Sequence, residues 1–437
     1  MTDVNLTLVK ELPTSPFYLA DLIDLTIPTR KSEDWKYNDV YFLKTEQFEF
    51  SKMIKDVEKV KVNIQEQTSL KHDYLAESNL LVFIDGNYSD ELSRITEKND
   101  LSFNSPSNLT SEQLDKISKI ENKYGEEKNS IVSLTKSNLN SYSNNTNYVK
   151  LKENVKLKKP LYIIHYATSS NGVYENSFLS INKLILDLSK SSESTIVEVF
   201  ISSEKKSEDD NSQLAVQATL VNVEENANAE HYRFNLESNS HKQISNLSHL
   251  LNKNAALNSF FYSNGSLLNK TDVKVINVGS GAQSQTSGIY LPSGEASIDY
   301  HTCIEHRVPH CNSKEVFRGI IADKAKATFN GKIHIFKDAQ KSDAQLSNKN
   351  LLLTNTAEIN TKPELEIYAD DVICAHGATV AKIDDASIFY LKSRGISDSK
   401  ARAMISVGFI NELLAYVKND SIKKTLTQLI QSKLTLL

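Results

Sequence analysis

The feature that most constrains this chain is a stretch of roughly 200 residues that holds many short β-prone runs and no helical pattern of ten residues. The runs are rich in Val, Ile, Leu and Phe and are bounded by Asn, Ser, Gly or Lys. They are 161–164, 184–188, 196–200, 215–220, 273–276 and 351–353. Strands this numerous and this short can form a sandwich, a barrel or a solenoid, and periodicity alone does not choose among the three.

Small and amide residues recur between these runs and favour the solenoid. Four such bends are 226–229, 254–256, 279–282 and 323–327, and their spacing is similar to that of successive solenoid coils. The pattern therefore predicts a mainly β protein whose core, residues 154–383, is a parallel β-helix.

Different patterns flank the predicted core. We predict a helical N-terminal region at 1–78, a mixed connecting region at 79–153 and a helical C-terminal region at 384–437. Apolar residues at helical spacing between Phe17 and Leu25 support the first, and Leu80–Ile84 followed by Asp85-Gly86 predicts a strand and a turn. In the C-terminal region, an apolar ridge after Ser397 consists of Ile405, Phe409 and Leu413.

Composition restricts the classes of partner and compartment. The chain has 50 Lys+Arg and 55 Asp+Glu, a net charge of −5, so it has no overall positive field for nucleic acid. Three cysteines suit a reducing compartment. The first thirty residues lack the pattern of an export signal, and no apolar run is long enough to cross a bilayer. These features predict a cytoplasmic protein that binds neither nucleic acid nor membrane.

Common catalytic motifs are missing from the sequence. It contains no P-loop, no complete dinucleotide-binding loop, no C-x-x-C, no H-E-x-x-H and no G-x-S-x-G. We therefore predict that the chain is not itself an enzyme.

Two segments contain soft or borderline metal ligands. Strand alternation from Pro363 to Gly377 predicts a polar face with Cys374 and His376 side by side, together with Glu364, Glu366 and Asp370. A thiolate beside an imidazole can bind iron. Alternatively, Cys374 is a packed apolar residue and His376 a surface histidine.

The second segment spans residues 296–311. Alternation directs Asp299, His301, Cys303 and Glu305 outward, and His306, His310 and Cys311 follow closely. Cysteines and histidines are crowded here without regular metal spacing, so either a metal site or ordinary packing explains the segment.

Longer segments resemble the SufB/SufD family of iron–sulfur cluster assembly proteins. The residues that carry the resemblance are 370–380, 388–396, 329–333, 338–344, 361–367 and, near the start, 28–37, which includes Trp35. Within the family, the Cys-x-His-Gly-Ala-Thr-Val form at 374–380 is similar to the SufD branch.

The resemblance implies a right-handed β-helix in a non-catalytic scaffold subunit that works with SufB and the ATPase SufC. It implies that His376 and Cys374 help to acquire iron and build clusters at the SufB interface. His301, Cys303, Glu305 and His306 are secondary candidates, and Ile405, Phe409 and Leu413 are candidates for contacting SufC. No cofactor is expected to bind stably. Iron or a nascent cluster is instead expected to be shared transiently with the partner subunit. Whether the chain alone forms a homodimer stays open at this point.

Two other functions remain open at this point. One is a polysaccharide-active β-helix enzyme, which would need a carboxylate pair or a calcium site. The other is an independent metal-dependent hydrolase that uses His301, Cys303, His306 and His310.

Overall fold

The computed structural model describes residues 16–21, 27–38, 40–51, 57–67, 78–125, 131–132, 146–168, 176–203, 213–238 and 240–436. The strands are β1 (Phe17–Tyr18), β2 (Gln47–Phe50), β3 (Asn79–Ile84), β4 (Asn87–Tyr88), β5 (Leu101–Asn104), β6 (Thr146–Leu151), β7 (Leu161–Ala167), β8 (Ser177–Leu188), β9 (Glu193–Ser202), β10 (Gln213–Val223), β11 (Asn228–Asn235), β12 (Lys242–Leu251), β13 (Ala256–Ser263), β14 (Leu268–Asn277), β15 (Gln283–Tyr290), β16 (Ser297–His306), β17 (Asn312–Ile321), β18 (Lys326–Ile335), β19 (Ser342–Leu352), β20 (Glu358–Ile367) and β21 (Val372–Lys382). The helices are α1 (Phe42–Thr45), α2 (Val57–Gln67), α3 (Ser111–Tyr124), α4 (Asp385–Ser393), α5 (Asp398–Ile410) and α6 (Asp420–Leu436).

From β7 onward the chain alternates between two long sheets. The even-numbered strands from β8 to β20 are neighbours in an eleven-stranded sheet, here sheet A, and the odd-numbered strands from β7 to β21 are neighbours in a ten-stranded sheet, here sheet B. Each of these strands, except the last of each sheet, pairs in parallel with the strand two further along the chain. The predicted parallel β-helix is therefore confirmed.

One corner of the solenoid is built from residues in the left-handed backbone region. Asn226, Asn254 and Gly281 have φ angles of 57°, 54° and 79°. Each of the two asparagines donates its backbone N–H to the same corner of the next coil, to Lys253 O and Ser280 O respectively. Asn and Gly tolerate this conformation better than other residues, which explains why the sequence places them at the bends.

Apolar side chains between the two sheets form the interior of the solenoid, with Leu184, Leu247 and Ile333 from sheet A facing Phe261 and Phe317 from sheet B. The outer face of sheet B is covered by the C-terminal helices. The N-terminal residues and α3 cover parts of the outer face of sheet A.

The flanks differ in part from the sequence predictions. The C-terminal region is helical, and the strand and turn at 79–86 are present. The helix predicted between Phe17 and Leu25 begins instead with β1 and a 3₁₀ turn at Leu19–Asp21, and residues 22–26 lie outside the described part. β3 pairs in parallel with β7 of the core. The predicted core border at 154 stays a prediction.

In the described part of the chain, no helix combines the length and the apolar character needed to cross a membrane.

Candidate functional site

The solenoid ends in an open coil made of β20 and β21. Each is the last strand of its sheet, and among the described strands none pairs with its far edge. Apolar side chains are exposed along β21, with Ile373 67% and Val380 48% exposed. This end therefore offers two unpaired strand edges and an apolar surface.

Cys374 and His376 lie on this terminal coil. They pair in register with Ala344 and Leu346, both of which belong to the interior cluster. Paired residues of a ladder point to the same side of the sheet, so the two side chains share the interior-facing side of β21. Cys374 is half-buried and packs against the core, whereas His376 is exposed at the open end.

The predicted grouping of side chains on a single polar face is wrong. Glu364 and Glu366 belong to β20 in sheet A, whereas Cys374 belongs to β21 in sheet B. The corner at 368–371 interrupts the strand and resets the alternation. Ile373, predicted to point inward, consequently faces solvent.

The Cys374 thiol is in an environment that favours its neutral form. Burial raises the pKa of Cys374, and the carboxylate of Asp343 raises it further. A thiol in this state becomes a ligand only when a cation takes the place of its proton.

The second candidate group lines a pocket of about 340 Å³ on the outer face of sheet A. His301, Cys303 and Glu305 point into it from β16, and residues 33–35 form part of its wall. Glu364 and His334 also line it. The pocket is thus separate from the interior-facing row that contains Cys374.

Cys303 lies between two lysines in register, Lys274 on β14 and Lys332 on β18. Both ammonium groups are already paired, Lys274 with Glu305 at 2.8 Å and Lys332 with Glu366 at 2.6 Å. Burial raises the pKa of Cys303 to about 12, with Glu305 contributing in the same direction. Cys303 is therefore a protonated thiol at neutral pH.

A network of buried charges lies beside this pocket. The fully buried Lys270 contacts Asp299 at 3.2 Å and Asp272 at 3.4 Å. Burial alone would lower the pKa of Lys270, but the two carboxylates outweigh it and raise the value. Burial would likewise lower the pKa of His301, but Asp299, assisted by Asp34, raises it to about 9. Both cations are charged at neutral pH.

The structure brings only part of the second group together, because His301, Cys303 and Glu305 share the pocket whereas His306 and His310 lie outside it. His306 is fully buried in the solenoid, where its Nε2 lies 2.8 Å from Ser313 Oγ and burial lowers its pKa to about 4. His310 occupies a left-handed corner with φ 62°. The hydrolase set of His301, Cys303, His306 and His310 is therefore split among three environments. Among the described residues no group of three or more His, Cys, Asp or Glu is arranged to hold a metal ion.

The predicted contact ridge of the C-terminal region is largely docked on the solenoid. Leu413 is fully buried, and Ile405 and Phe409 pack against the cluster on the outer face of sheet B. Among the described residues of this region, the exposed large apolar side chains are Phe389, at 74%, and Tyr390 on α4, and Met404 on α5. An i, i+4 ridge shows which face of a helix is apolar but not which surface covers it.

The sequence analysis did not predict one polar cluster inside the solenoid. Glu198 is fully buried and accepts hydrogen bonds from Arg233 Nη1 at 2.9 Å and Thr219 Oγ1 at 2.8 Å. His165 Nε2 lies 3.0 Å from the same carboxylate. The only signal in the sequence is a charged residue within the apolar run 196–200.

Comparison with known proteins identifies the family. The family model for the SufBD core domain of the SUF iron–sulfur cluster assembly system matches residues 168–409, more than half of the chain. The chain belongs to the SufBD family. The matched residues of this SufBD chain include the sheet A strands that line the pocket, the open coil, all of α4 and all of α5 except its last residue, whereas residues 33–35 of the pocket wall precede the match.

Named relatives of this SufBD chain match over nearly its whole length. The iron–sulfur cluster assembly protein SufD of Escherichia coli K12 is 30% identical over 432 residues, which cover 97% of this chain and 93% of that protein. A SufBD family protein of Synechocystis is 26% identical over 95% of this chain and 89% of its own length. The resemblance found in the motifs therefore extends through the N-terminal region.

Proposed function

We propose that this chain is a non-catalytic scaffold subunit of a complex that assembles iron–sulfur clusters, with a SufB-like subunit and a SufC-like ATPase as partners. Membership of the SufBD family and the similarity to SufD support the proposal. The complex works in the cytoplasm, and this chain hydrolyses no nucleotide.

The open coil is the observation that carries the proposal. The unpaired edges of β20 and β21 fit the matching end of a second solenoid, because strand edges add to one another through backbone hydrogen bonds. Exposed Ile373 and Val380 would be buried in that contact. His376 and Cys374 would then lie at the junction of the two subunits.

Iron or a nascent cluster is the cargo of this junction. Imidazole and thiolate are suitable ligands for iron, and two ligands from one chain leave positions for ligands from the partner. In this arrangement neither subunit alone holds the cluster stably. The chain in isolation pairs with a second copy through the same open end.

The ATPase contact is assigned to α4 rather than to the predicted ridge. Phe389 and Tyr390 are exposed on α4, and Met404 on α5 is also exposed. The Arg394 guanidinium lies 5.0 Å from the centre of the Tyr390 ring. A compact aromatic surface flanked by a cation is typical of a protein interface.

Co-purification tests the proposal. The tagged chain is co-expressed with SufB-like and SufC-like proteins from the same source, and we expect all three in one complex. A Phe389→Asp/Tyr390→Ser variant should lose the ATPase and keep the SufB-like subunit. Leu114→Asp on α3, which replaces a 49% exposed apolar residue on a different surface, is the control and should keep both. Absence of both partners from the wild-type preparation contradicts the proposal.

A further inference from the structure

Residues 32–38, here called the strap, lie across the outer face of sheet A. Glu33, Asp34 and Trp35 line the same pocket as Cys303. The strap therefore forms the wall between this thiol and solvent on one side of the pocket.

Side chains hold the strap to the sheet at four points. Trp35 is buried, with Lys270 Nζ 5.0 Å from the centre of its ring. The remaining contacts are Asn38 to Asp299, Asp34 to His301 at 3.7 Å and Glu33 to Lys362 at 2.9 Å.

The backbone of the strap is bonded within its own turns. Trp35 N donates to Ser32 O at 2.9 Å, Lys36 N to Glu33 O at 3.4 Å and Asn38 N to Trp35 O at 3.1 Å. These bonds stay intact if the strap moves as a unit. Lifting it therefore breaks side-chain contacts but no strand pairing of the solenoid.

The buried cations beneath the strap keep partners on the sheet itself. Lys270 retains Asp272 at 3.4 Å and Asp299 at 3.2 Å, and His301 Nε2 retains Asp299 at 3.0 Å. Opening therefore leaves no buried charge unpaired, so it avoids the large cost of an uncompensated buried charge.

We propose that the strap is a lid that gates the access of solvent molecules to the Cys303 thiol. This inference concerns the outer pocket and does not depend on the proposed role of the open coil. It assigns a function to the N-terminal segment that carries Trp35, namely control of access to a pocket in the core.

Two readouts in the full-length chain test the lid. Trp35 is the only tryptophan, so its fluorescence reports the strap alone. In a Cys374→Ser background the accessible thiol of interest is Cys303, because Cys311 is fully buried. Its alkylation by iodoacetamide at one fixed pH is followed by peptide mass spectrometry.

Two variants weaken the lid by opposite changes of charge. Glu33→Gln/Asp34→Asn removes negative charge, and Lys362→Met removes positive charge. We expect both to red-shift the Trp35 emission and to speed alkylation of Cys303 at least fivefold, with Cys311 unchanged. Glu58→Gln, which removes an exposed carboxylate from the Lys61 pair on α2, is the control and should change neither readout.

Three results would contradict the proposal that the strap is a lid. They are an unchanged alkylation rate in both variants, acceleration without a shift of the Trp35 emission, and acceleration in the first variant with slowing in the second. The last is the signature of a purely electrostatic effect on the thiol.

Discussion

His376 is the residue whose replacement best separates function from folding. It is exposed at the open end, and the neighbouring coil supplies the apolar burial. We expect His376→Ala to change the free energy of unfolding by less than about 1 kcal/mol, as is usual for exposed positions. Iron content and cluster absorbance of the assembled complex should fall sharply.

Thr379→Ala, an exposed change on the same strand, is the matched control and should leave iron loading unaltered. Cys374→Ala should match His376→Ala if the thiol is a ligand and do less if it only packs. Full iron loading of the His376→Ala complex would remove this histidine from the site.

Glu315 gives a second prediction, which concerns pH. It is fully buried in the solenoid, and burial raises its pKa from 4.5 to about 7. When folding raises the pKa of a carboxyl, the folded protein loses stability as the pH rises from the pKa of the unfolded state through the pKa of the folded state. Glu315→Gln should therefore raise the free energy of unfolding by on the order of 3 kcal/mol at pH 8 and by less than about 1 kcal/mol at pH 5.

Denaturant unfolding at both pH values measures this difference. Glu358→Gln, at an exposed position on β20, is the control and should show no such dependence. Equal effects of Glu315→Gln at the two pH values would show that folding does not raise the pKa of this carboxyl.

At the scale of elements, the corner that contains Gly281 lies in close contact with the preceding coil. Gly281 has φ 79°, and a Cβ atom there would collide with the Asn254 side chain of the preceding coil. Gly281→Ala should lower the free energy of unfolding by about 1–3 kcal/mol, through backbone strain and the collision.

The comparison for this prediction is Gly408→Ala on α5, where a Cβ atom would meet no atom within 4 Å. Alanine at a helical position should be neutral or stabilising by up to about 1 kcal/mol. Chemical denaturation of the two variants gives both values, and equal effects would contradict the role of the corner.

The elements differ in how far the sequence predicts them. The corner residues Asn226, Asn254 and Gly281 were predictable, since few residue types adopt the left-handed conformation without cost. The orientation of Ile373 was not, because alternation fails across a corner whose position the sequence does not mark. The burial of Leu413 was also missed, since it depends on which sheet face the helix covers.

The residues of the candidate site also differ in how far the sequence predicts them. Cys374 and His376 were found from their spacing on a single strand. The contacts of Trp35 with Lys270 and of Asn38 with Asp299 join segments more than 200 residues apart, and no local pattern predicts such pairs.

For the whole molecule, the open coil makes the state of association testable. We expect the isolated chain to form a dimer, because the exposed strand edges and the apolar residues Ile373 and Val380 favour pairing with a second copy. Ile373→Lys/Val380→Lys should give a monomer by sedimentation equilibrium, because two charges at this end oppose strand addition.

Leu114→Lys on α3 places a charge on a different exposed apolar residue and should leave the dimer intact. A wild-type chain that is monomeric at all concentrations would exclude self-pairing. Dimers that persist in the double variant would place the contact on another surface.

The two ends of the solenoid are closed differently, and this has a kinetic consequence. At one end β4 turns back antiparallel on β3, whereas β21 at the other end has no strand beyond it among those described. Each coil is held mainly by its neighbours, so opening should start at β21 and proceed inward. Backbone amides should accordingly exchange with deuterium fastest at β21 and progressively more slowly toward the middle coils. A bound partner would reverse that gradient, so the exchange rate of this one strand would report whether the subunit is in its complex.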